Sequence, residues 1–290
     1  MKVVGVTFIR NAIRYDYPVA EALRSLLPLC DEVIVAVGAS DDATRALIAG
    51  LDPAKIRIVD TVWDDTLREG GRVLAVETDK ALAAVPPDAD WIFYLQGDEV
   101  LHEADYPALR AAMARALPDA RVDGLLFDYY HFYGSYDYLG AARRWYRHEV
   151  RVVRANRGIY SYRDAQGFRK PDNQKLHVRP AGAHIYHYGW VKEPAAMQGK
   201  QETFNRYWHD DAWTAAHVTS AATFDYTGID ALTRFRGTHP AVMAGRISSR
   251  NWHFDHDPTR NRLPVKDRLK ALAERWLGLR LGYKNYRLLR

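Results

Sequence analysis

The fold is constrained most strongly by residues 90–99, where five apolar residues (91–95) end abruptly in a polar turn, Gln96-Gly97-Asp98-Glu99. The apolar run is short and rich in aromatic rings, which is typical of a strand buried on both faces of a sheet. In open α/β sheets, ligands bind beyond the carboxyl ends of such strands. The two acids of the turn could therefore hold a divalent cation through their oxygens, or they could be solvated acids of an ordinary loop.

Short apolar runs and amphipathic helices alternate through the first 120 residues. Strands are predicted at residues 3–9, 32–37, 56–59 and 91–95, and helices near 18–27, 43–51, 71–85 and 106–117. Asp16 and Asp105 are the predicted N-caps of the first and last of these helices. This order predicts an α/β fold with a mostly parallel central sheet flanked by helices. Right-handed crossovers would then place Asn11, the turn at 38–42 and the turn at 96–99 along one edge.

The pattern changes after residue 127. Residues 128–139 contain six tyrosine and phenylalanine side chains, which could stack on sugar rings or form a hydrophobic lid. Strands are predicted at 149–154 and 183–188, a loop at 160–170, a helix at 194–208 and irregular structure at 225–262. We predict a catalytic domain at residues 1–215 and a largely helical, basic extension at 216–290.

Composition narrows the class of partner without choosing one. A net charge of +5 and an isoelectric point near 9.1 favour an anionic partner such as a nucleotide, a phospholipid surface or a nucleic acid. The single cysteine, Cys30, fits a reducing compartment, and no apolar stretch approaches membrane-spanning length. We therefore expect a cytoplasmic protein. The residues after the first strand, Arg10-Asn11-Ala12-Ile13-Arg14, lack the glycines of a dinucleotide-binding loop or a P-loop.

Four segments together resemble family 2 type glycosyltransferases of the GT-A fold, over roughly residues 1–210. They are the opening run at 3–11, the second strand with Ser40-Asp41-Asp42-Ala43-Thr44 after it, the run at 91–99, and His184-Ile185-Tyr186-His187-Tyr188-Gly189-Trp190. The resemblance implies transfer of a sugar from a UDP- or GDP-sugar donor to a glycan or lipid-linked acceptor. It also implies an inverting, metal-assisted reaction in the synthesis of a cell-surface polysaccharide or lipopolysaccharide.

The resemblance assigns a cation site to Asp98 and His187. The family's turn usually begins with an acid that contacts the ribose, and here Gln96 replaces it; an amide can still hydrogen-bond a ribose hydroxyl. The cation would be Mn²⁺ or Mg²⁺, and an imidazole ligand suits Mn²⁺ better. His184, three residues before His187, should point to the opposite side of the strand.

The remaining expected donor contacts are Asn11, Asp41, Asp42 and Lys200. Asn11, Asp41 and Asp42 lie where the family contacts the base or ribose, although capping of the next turn or helix explains them equally well. Lys200, like Lys192, could share the charge of the leaving diphosphate.

Two carboxylates are candidates for the catalytic base that an inverting transfer requires. Asp164 is favoured over Glu149 by its order along the chain, and either could instead be an ordinary loop acid. A predicted helix at 264–281 carries basic residues beside an apolar face. That helix could contact the inner face of an anionic membrane or pack against the catalytic domain.

Two other functions remain as alternatives. A nucleotidyltransferase on a similar sheet would need a glycine-rich basic loop after the first strand, where only Arg10 and Arg14 are present. A non-catalytic module could bind carbohydrate or nucleic acid through its aromatic and basic residues. Nucleic acid is not the expected partner, because the basic residues do not interleave with aromatics on a small sheet.

Overall fold

A computed structural model describes residues 1–217, 221–263, 267, 270, 276 and 284–289. Its first part alternates strands and helices as the sequence predicts. The elements are β1 (Val3–Ile9), α1 (Val19–Leu26), β2 (Glu32–Gly38), α2 (Thr44–Ala49), β3 (Ile56–Thr61), α3 (Arg72–Ala83) and β4 (Trp91–Tyr94). β1 pairs in parallel with both β2 and β4, and β2 pairs in parallel with β3.

The second part adds mainly strands. The elements up to residue 190 are β5 (Glu99–Leu101), α4 (Tyr106–Ala116), β6 (Gly124–Tyr133), β7 (Ser135–Gly140), β8 (His148–Arg154), β9 (Tyr160–Tyr162), β10 (Gly167–Arg169) and β11 (His177–Trp190). After them come α5 (Pro194–Phe204), α6 (Asp211–His217), β12 (Leu232–Arg234), α7 (Ala244–Ser248) and β13 (Arg287–Leu288).

Within the described residues, eleven strands form one sheet in the order β12-β7-β6-β8-β4-β1-β2-β3, with β11 joining β6, β5 and β13. The predicted α/β class, with a central sheet flanked by helices, is confirmed. The parallel half is as expected, and β8 extends it in antiparallel fashion between β4 and β6. The sheet as a whole is therefore mixed.

Strand β4 is buried on both faces. Trp91 and Phe93 pack into the core beneath α1 and α4, whereas Ile92 and Tyr94 pack into the core beneath α3. All four side chains are at most 7% exposed. The alternation arises because successive side chains of a strand point to opposite faces.

Several local predictions need correction. The backbone of Asp16 lies at φ 47°, outside a helix, and α1 begins after Pro18. Asp105 makes no side-chain cap hydrogen bond to α4; its carboxylate accepts from the backbone N–H of His184 at 3.2 Å. The carboxylate of Asp16 pairs with Arg246. Both acids therefore bind segments that are distant in sequence, instead of capping a helix.

The aromatic segment at 128–139 forms most of β6 and β7. Phe132 and Tyr136 are buried in one hydrophobic cluster, and Tyr133 and Tyr138 in another. Residues 160–170, predicted as a loop, contain the hairpin of β9 and β10. The predicted helix at 264–281 lies almost wholly outside the described residues. Within the part of the chain that is described, no helix is long and apolar enough to cross a membrane.

Candidate functional site

The turn after β4 separates its two acids. Glu99 is fully buried, and its carboxylate accepts two hydrogen bonds from Arg151, each 2.8 Å long. The hydroxyl of Tyr129 donates a third at 2.8 Å. The Glu99 carboxylate is therefore occupied by Arg151 and Tyr129 in the interior of the protein. Asp98 is the acid of this turn that remains available to a ligand.

Asp98 lies beside His187 of β11. The Oδ2 atom of Asp98 is 3.7 Å from the Nε2 atom of His187, too far for a hydrogen bond. Gly189 leaves open the space that both atoms face. A Cβ added at Gly189 would lie 2.5 Å from Asp98 Oδ2 and 2.7 Å from His187 Nε2. Two potential ligand atoms therefore face a common small space.

A second histidine fixes the protonation of His187. The Nε2 atom of His131 lies 2.7 Å from the carbonyl oxygen of Tyr146, which can only accept, so this nitrogen carries a hydrogen. Burial holds the pKa of His131 well below its ordinary value, so the ring is neutral and its Nδ1 accepts from the Nδ1–H of His187 at 3.0 Å. Burial also lowers the pKa of His187. The Nε2 of His187 is therefore left with a free lone pair directed toward Asp98.

Two buried lysines lie at the same point, and burial lowers the pKa of both, that of Lys192 well below its ordinary value. The Nζ atom of Lys200 is 3.6 Å from Asp98 Oδ2 and donates to the carbonyl oxygen of Gly189 at 2.8 Å. The Nζ atoms of Lys192 and Lys200 lie 4.3 and 5.0 Å from the ring centre of Tyr17. Burial opposes ionisation of Asp98, but the positive groups around it hold its pKa below the ordinary value. The carboxylate is therefore charged at neutral pH.

Asp98 and His187 fit a divalent cation only as a two-residue site. Within the described ranges, no group of three or more His, Cys, Asp or Glu side chains is placed to hold a metal ion. A carboxylate and a neutral imidazole beside an open space are nevertheless suitable ligands for Mn²⁺ or Mg²⁺. The remaining ligands would have to come from water or from the phosphates of a substrate.

These side chains line a cavity of about 300 Å³. Gln96, Asp98, Asp164, His187 and Lys200 all line it. Its other walls are mainly aromatic and are formed by Tyr15, Tyr17, Trp63, Phe204, Tyr207 and Trp208. A lining that combines charged side chains with aromatic rings suits a ligand with a charged part and a planar part.

The two candidate base residues lie on different sides of one wall. Asp164 lines the cavity, and burial raises the pKa of its carboxyl. Glu149 is buried behind Gln166, whose amide donates to Glu149 Oε1 at 3.0 Å. Burial raises the pKa of Glu149 to about 7. Gln96 is fixed at the same wall, because its amide donates to the carbonyl oxygen of Ala165 at 3.2 Å.

Asn11, Asp41 and Asp42 form a cluster of their own. The Oδ1 of Asn11 accepts from the backbone N–H of Asp41 at 2.9 Å, and Asp42 accepts from the N–H groups of Arg14 and Thr44 at 2.8 and 2.9 Å. These bonds join the turn after β1 to the turn after β2. Among the described residues, those that line the cavity do not include Asn11, Asp41 or Asp42.

Sequence reasoning missed three residues that shape the site: His131, Arg151 and Trp63. His131 is the direct cross-strand partner of His187 in the parallel pairing of β6 with β11. Arg151 occupies a position in β8 that reads as an ordinary polar residue of an alternating strand. Trp63 lies in a loop, and its ring centre is 5.6 Å from that of Tyr207. Only the pairing of strands distant in sequence makes these roles visible.

No protein-family model matches the sequence. No curated protein matches it either.

Solved structures with similar folds include S. aureus TarS 1–349, at 12% identity and a TM-score of 0.40, over 77% of this chain and 67% of that one. Glucosyl-3-phosphoglycerate synthase from Mycobacterium tuberculosis, in complex with Mn²⁺, UDP and phosphoglyceric acid, matches at 18% identity and a TM-score of 0.31, over 45% and 43% of the two chains. 4-Diphosphocytidyl-2C-methyl-D-erythritol synthase from Anaerococcus prevotii matches at 12% identity and a TM-score of 0.36, over 66% and 91%.

The aligned part spans less than half of the full TarS chain and of the mycobacterial synthase. Similarity this distant does not assign an activity to the protein.

Proposed function

We propose that the protein is a glycosyltransferase that uses a nucleotide-diphosphate sugar, with the GT-A arrangement of its site. One observation carries this proposal. Asp98 and His187 face one small space at the carboxyl end of a parallel sheet, next to Lys200 and a cavity with aromatic walls. Ligands of open α/β sheets bind at this edge.

A nucleoside diphosphate sugar matches the charged and the aromatic side chains of the cavity. Its diphosphate would lie beside Asp98, His187 and Lys200, because the ammonium group of Lys200 attracts phosphate oxygens. Asp98 and His187 would hold the Mn²⁺ or Mg²⁺, which when bound neutralises charge on the diphosphate. The base would lie against the rings of Trp63 and Tyr207, which offer flat apolar surfaces. Gln96 would contact the sugar part of the nucleotide.

The transfer needs a group that removes a proton from the acceptor. The acceptor oxygen bonds to the anomeric carbon, the bond from that carbon to the diphosphate breaks, and the diphosphate leaves with the electron pair. Asp164 would take the hydroxyl proton, since it lines the cavity and burial raises its pKa. Glu149 is the alternative base if the acceptor hydroxyl enters from the other side of Gln166. Attack opposite the leaving group would invert the anomeric centre.

The finer expectations rest on the sequence resemblance. They are a role in cell-surface polysaccharide or lipopolysaccharide synthesis, a glycan or lipid-linked acceptor, and peripheral contact with the inner face of a membrane. Asn11, Asp41 and Asp42 would act indirectly, by fixing the turns after β1 and β2.

Thermal shift with UDP and GDP, each with and without Mn²⁺, tests the proposal. We expect one diphosphate to raise Tm in the presence of Mn²⁺. Asp98→Asn should abolish the Mn²⁺-dependent part of the rise, whereas Asp88→Asn, which changes an exposed acid far along the surface, should preserve it. Release of UDP or GDP from a sugar nucleotide with added acceptors then tests transfer. If neither diphosphate shifts Tm, the proposal is wrong. If one binds but no sugar nucleotide turns over, the chain is a binding module.

A further inference from the structure

A second hollow of about 680 Å³ adjoins the first cavity. Tyr146 and Gln166 line both, so they form the wall between them. Asp164 lies on the first side of this wall and Glu149 on the second. A molecule in the second hollow would therefore meet the first cavity where the two carboxylates lie.

The second hollow is lined by an excess of positive charge. Its basic residues are Arg143, Arg144, Arg147, Arg163 and Lys284. Its acids are Asp128 and Glu149. Asp128 is already paired with the ring of His148, at 2.8 Å, and burial raises the pKa of Glu149 to about 7. The wall therefore attracts anions.

Two of these arginines are balanced by neighbouring acids. Arg144 pairs with Asp230 at 2.7 Å, and Arg143 lies 3.9 Å from Asp267. Arg147, by contrast, is exposed and has no ion-pair partner in the part of the chain that the structure describes. The Lys284 side chain is also exposed and has no ion-pair partner among the described residues. Within the described residues, no acid neutralises these two cations.

Aromatic rings accompany the guanidinium groups in this wall. The Arg163 guanidinium lies 5.2 Å from the ring centre of Tyr162, and that of Arg144 lies 5.8 Å from the ring of Trp145. A neighbouring ring restrains the orientation of a guanidinium group. Planar N–H forks held in place suit the oxygens of a phosphate.

We propose that the second hollow binds the phosphate group of an anionic acceptor, with Arg147 and Lys284 as its main contacts. The inference rests on the proposed glycosyltransferase function and adds the class of acceptor to it. An acceptor phosphate held there would bring a hydroxyl of the same molecule to the wall at Gln166, next to Asp164 and Glu149. The phosphate would belong either to a small soluble ester or to a lipid headgroup.

Binding of sn-glycerol 3-phosphate tests the inference, with glycerol at equal ionic strength as the neutral comparison. Titration calorimetry is done on the whole chain saturated with UDP and Mn²⁺, so that the first cavity is filled. We expect glycerol phosphate to bind and glycerol not to bind. Arg147→Glu and Lys284→Glu should each weaken binding by about tenfold or more, as expected for loss of a hydrogen bond to a charged group.

Arg24→Glu is the matched control, because it makes the same charge change at an exposed position of α1. It should leave glycerol phosphate binding within about twofold of the wild type, as expected for a distant and screened surface charge. All three variants should bind UDP with Mn²⁺ as the wild type does.

Cosedimentation with phosphatidylglycerol and phosphatidylcholine vesicles distinguishes the two sources of phosphate. Binding to phosphatidylglycerol vesicles that is lost in Arg147→Glu but kept in Arg24→Glu indicates a lipid headgroup. Binding of glycerol phosphate without vesicle binding indicates a soluble ester. The inference is overturned if neither probe binds, or if Arg147→Glu and Lys284→Glu bind as tightly as Arg24→Glu. Failure of UDP to bind the wild type would instead refute the proposed function.

Discussion

Arg151→Met is expected to destabilise the protein strongly, because it leaves a buried carboxylate without its partner. The side chains of Arg151 and Glu99 are both fully buried and are joined by two hydrogen bonds of 2.8 Å. Arg151 also donates to the carbonyl oxygen of Gln166 at 2.9 Å, so the same substitution releases the wall between the two hollows. Methionine approximates the apolar stem of arginine without its charge.

The expected cost is about 3–5 kcal/mol, the usual loss when one partner of a buried ion pair is removed. For a chain of this size, about 1 kcal/mol corresponds to roughly 2 °C, so Tm should fall by about 6–10 °C. Urea unfolding gives the free energy directly, provided that the slope with denaturant is unchanged. The double variant Glu99→Gln with Arg151→Met should recover part of the loss, because no unpaired charge then remains.

A surface pair of similar geometry provides the control. Arg45 donates two hydrogen bonds to Asp60, at 2.7 and 3.0 Å, but both side chains are about 60% exposed. Arg45→Met should change Tm little, since water solvates the acid left behind. If Arg151→Met loses no more stability than Arg45→Met, or the double variant is less stable than Arg151→Met, the reasoning is refuted.

Three further changes have defined outcomes. Gly71→Ala should cost about 1–3 kcal/mol in urea unfolding, because φ is +68° and a Cβ would lie 2.7 Å from the ring of Trp208. Glu149→Gln should alter the pH dependence of stability. Burial raises the pKa of Glu149 to about 7 in the folded protein, from an ordinary value of 4.5. Burying this acid therefore costs no stability below pH 4.5, where it is protonated in both states, and costs up to about 3 kcal/mol above pH 7. The free energy of unfolding of the wild type should therefore fall relative to that of the variant as pH rises through this window. His131→Phe should weaken Mn²⁺ binding in the presence of UDP by about tenfold or more, because His187 loses the acceptor that orients its ring.

Two of these changes have a matched control within the chain. A Cβ at Gly199 of α5 would meet nothing within 4 Å, so Gly199→Ala should be neutral or stabilising, and equal losses at both glycines would contradict the steric argument. His184 stacks on Tyr130, with ring centres 4.3 Å apart, and does not line the first cavity. Mn²⁺ binding should therefore survive His184→Phe. A constant stability difference between the wild type and Glu149→Gln from pH 4 to 8 would show that Glu149 is not shifted.

The parallel half of the fold was predictable because its information is local. Buried strands such as Val3–Ile9 are continuous apolar runs, and the helices between them repeat their apolar residues at helical spacing. The family resemblance, rather than any local pattern, implied that Asp98 and His187 lie together, and they lie 3.7 Å apart beside a cavity. His184 and His187 lie on opposite faces of β11, as the two-residue period of a strand requires.

What failed depended on contacts between distant segments. Asp16 and Asp105 stand where helix caps are common, but Arg246 and the backbone of His184 bind them instead. The aromatic residues after residue 127 could have stacked on a sugar. In the structure, their rings instead pack against each other and against Phe235 and Phe254. Similarly, Asp98 and Glu99 are adjacent acids, but Asp98 lines the cavity whereas Glu99 is fully buried. Arg151, 52 residues later in the sequence, binds Glu99 and leaves Asp98 to face the cavity.

The return of residues 284–289 to the sheet affects how fragments of this protein should be designed. β13 pairs with the start of β11, and Asn285 lies against Gly167, within reach of Glu149 and Arg169. A fragment that ended after α7 would keep the described strands except β13, and it would still lose part of the enclosure around Glu149 and the lysine at position 284. Such a fragment would keep the residues that line the first cavity while losing one of the contacts proposed for the second substrate.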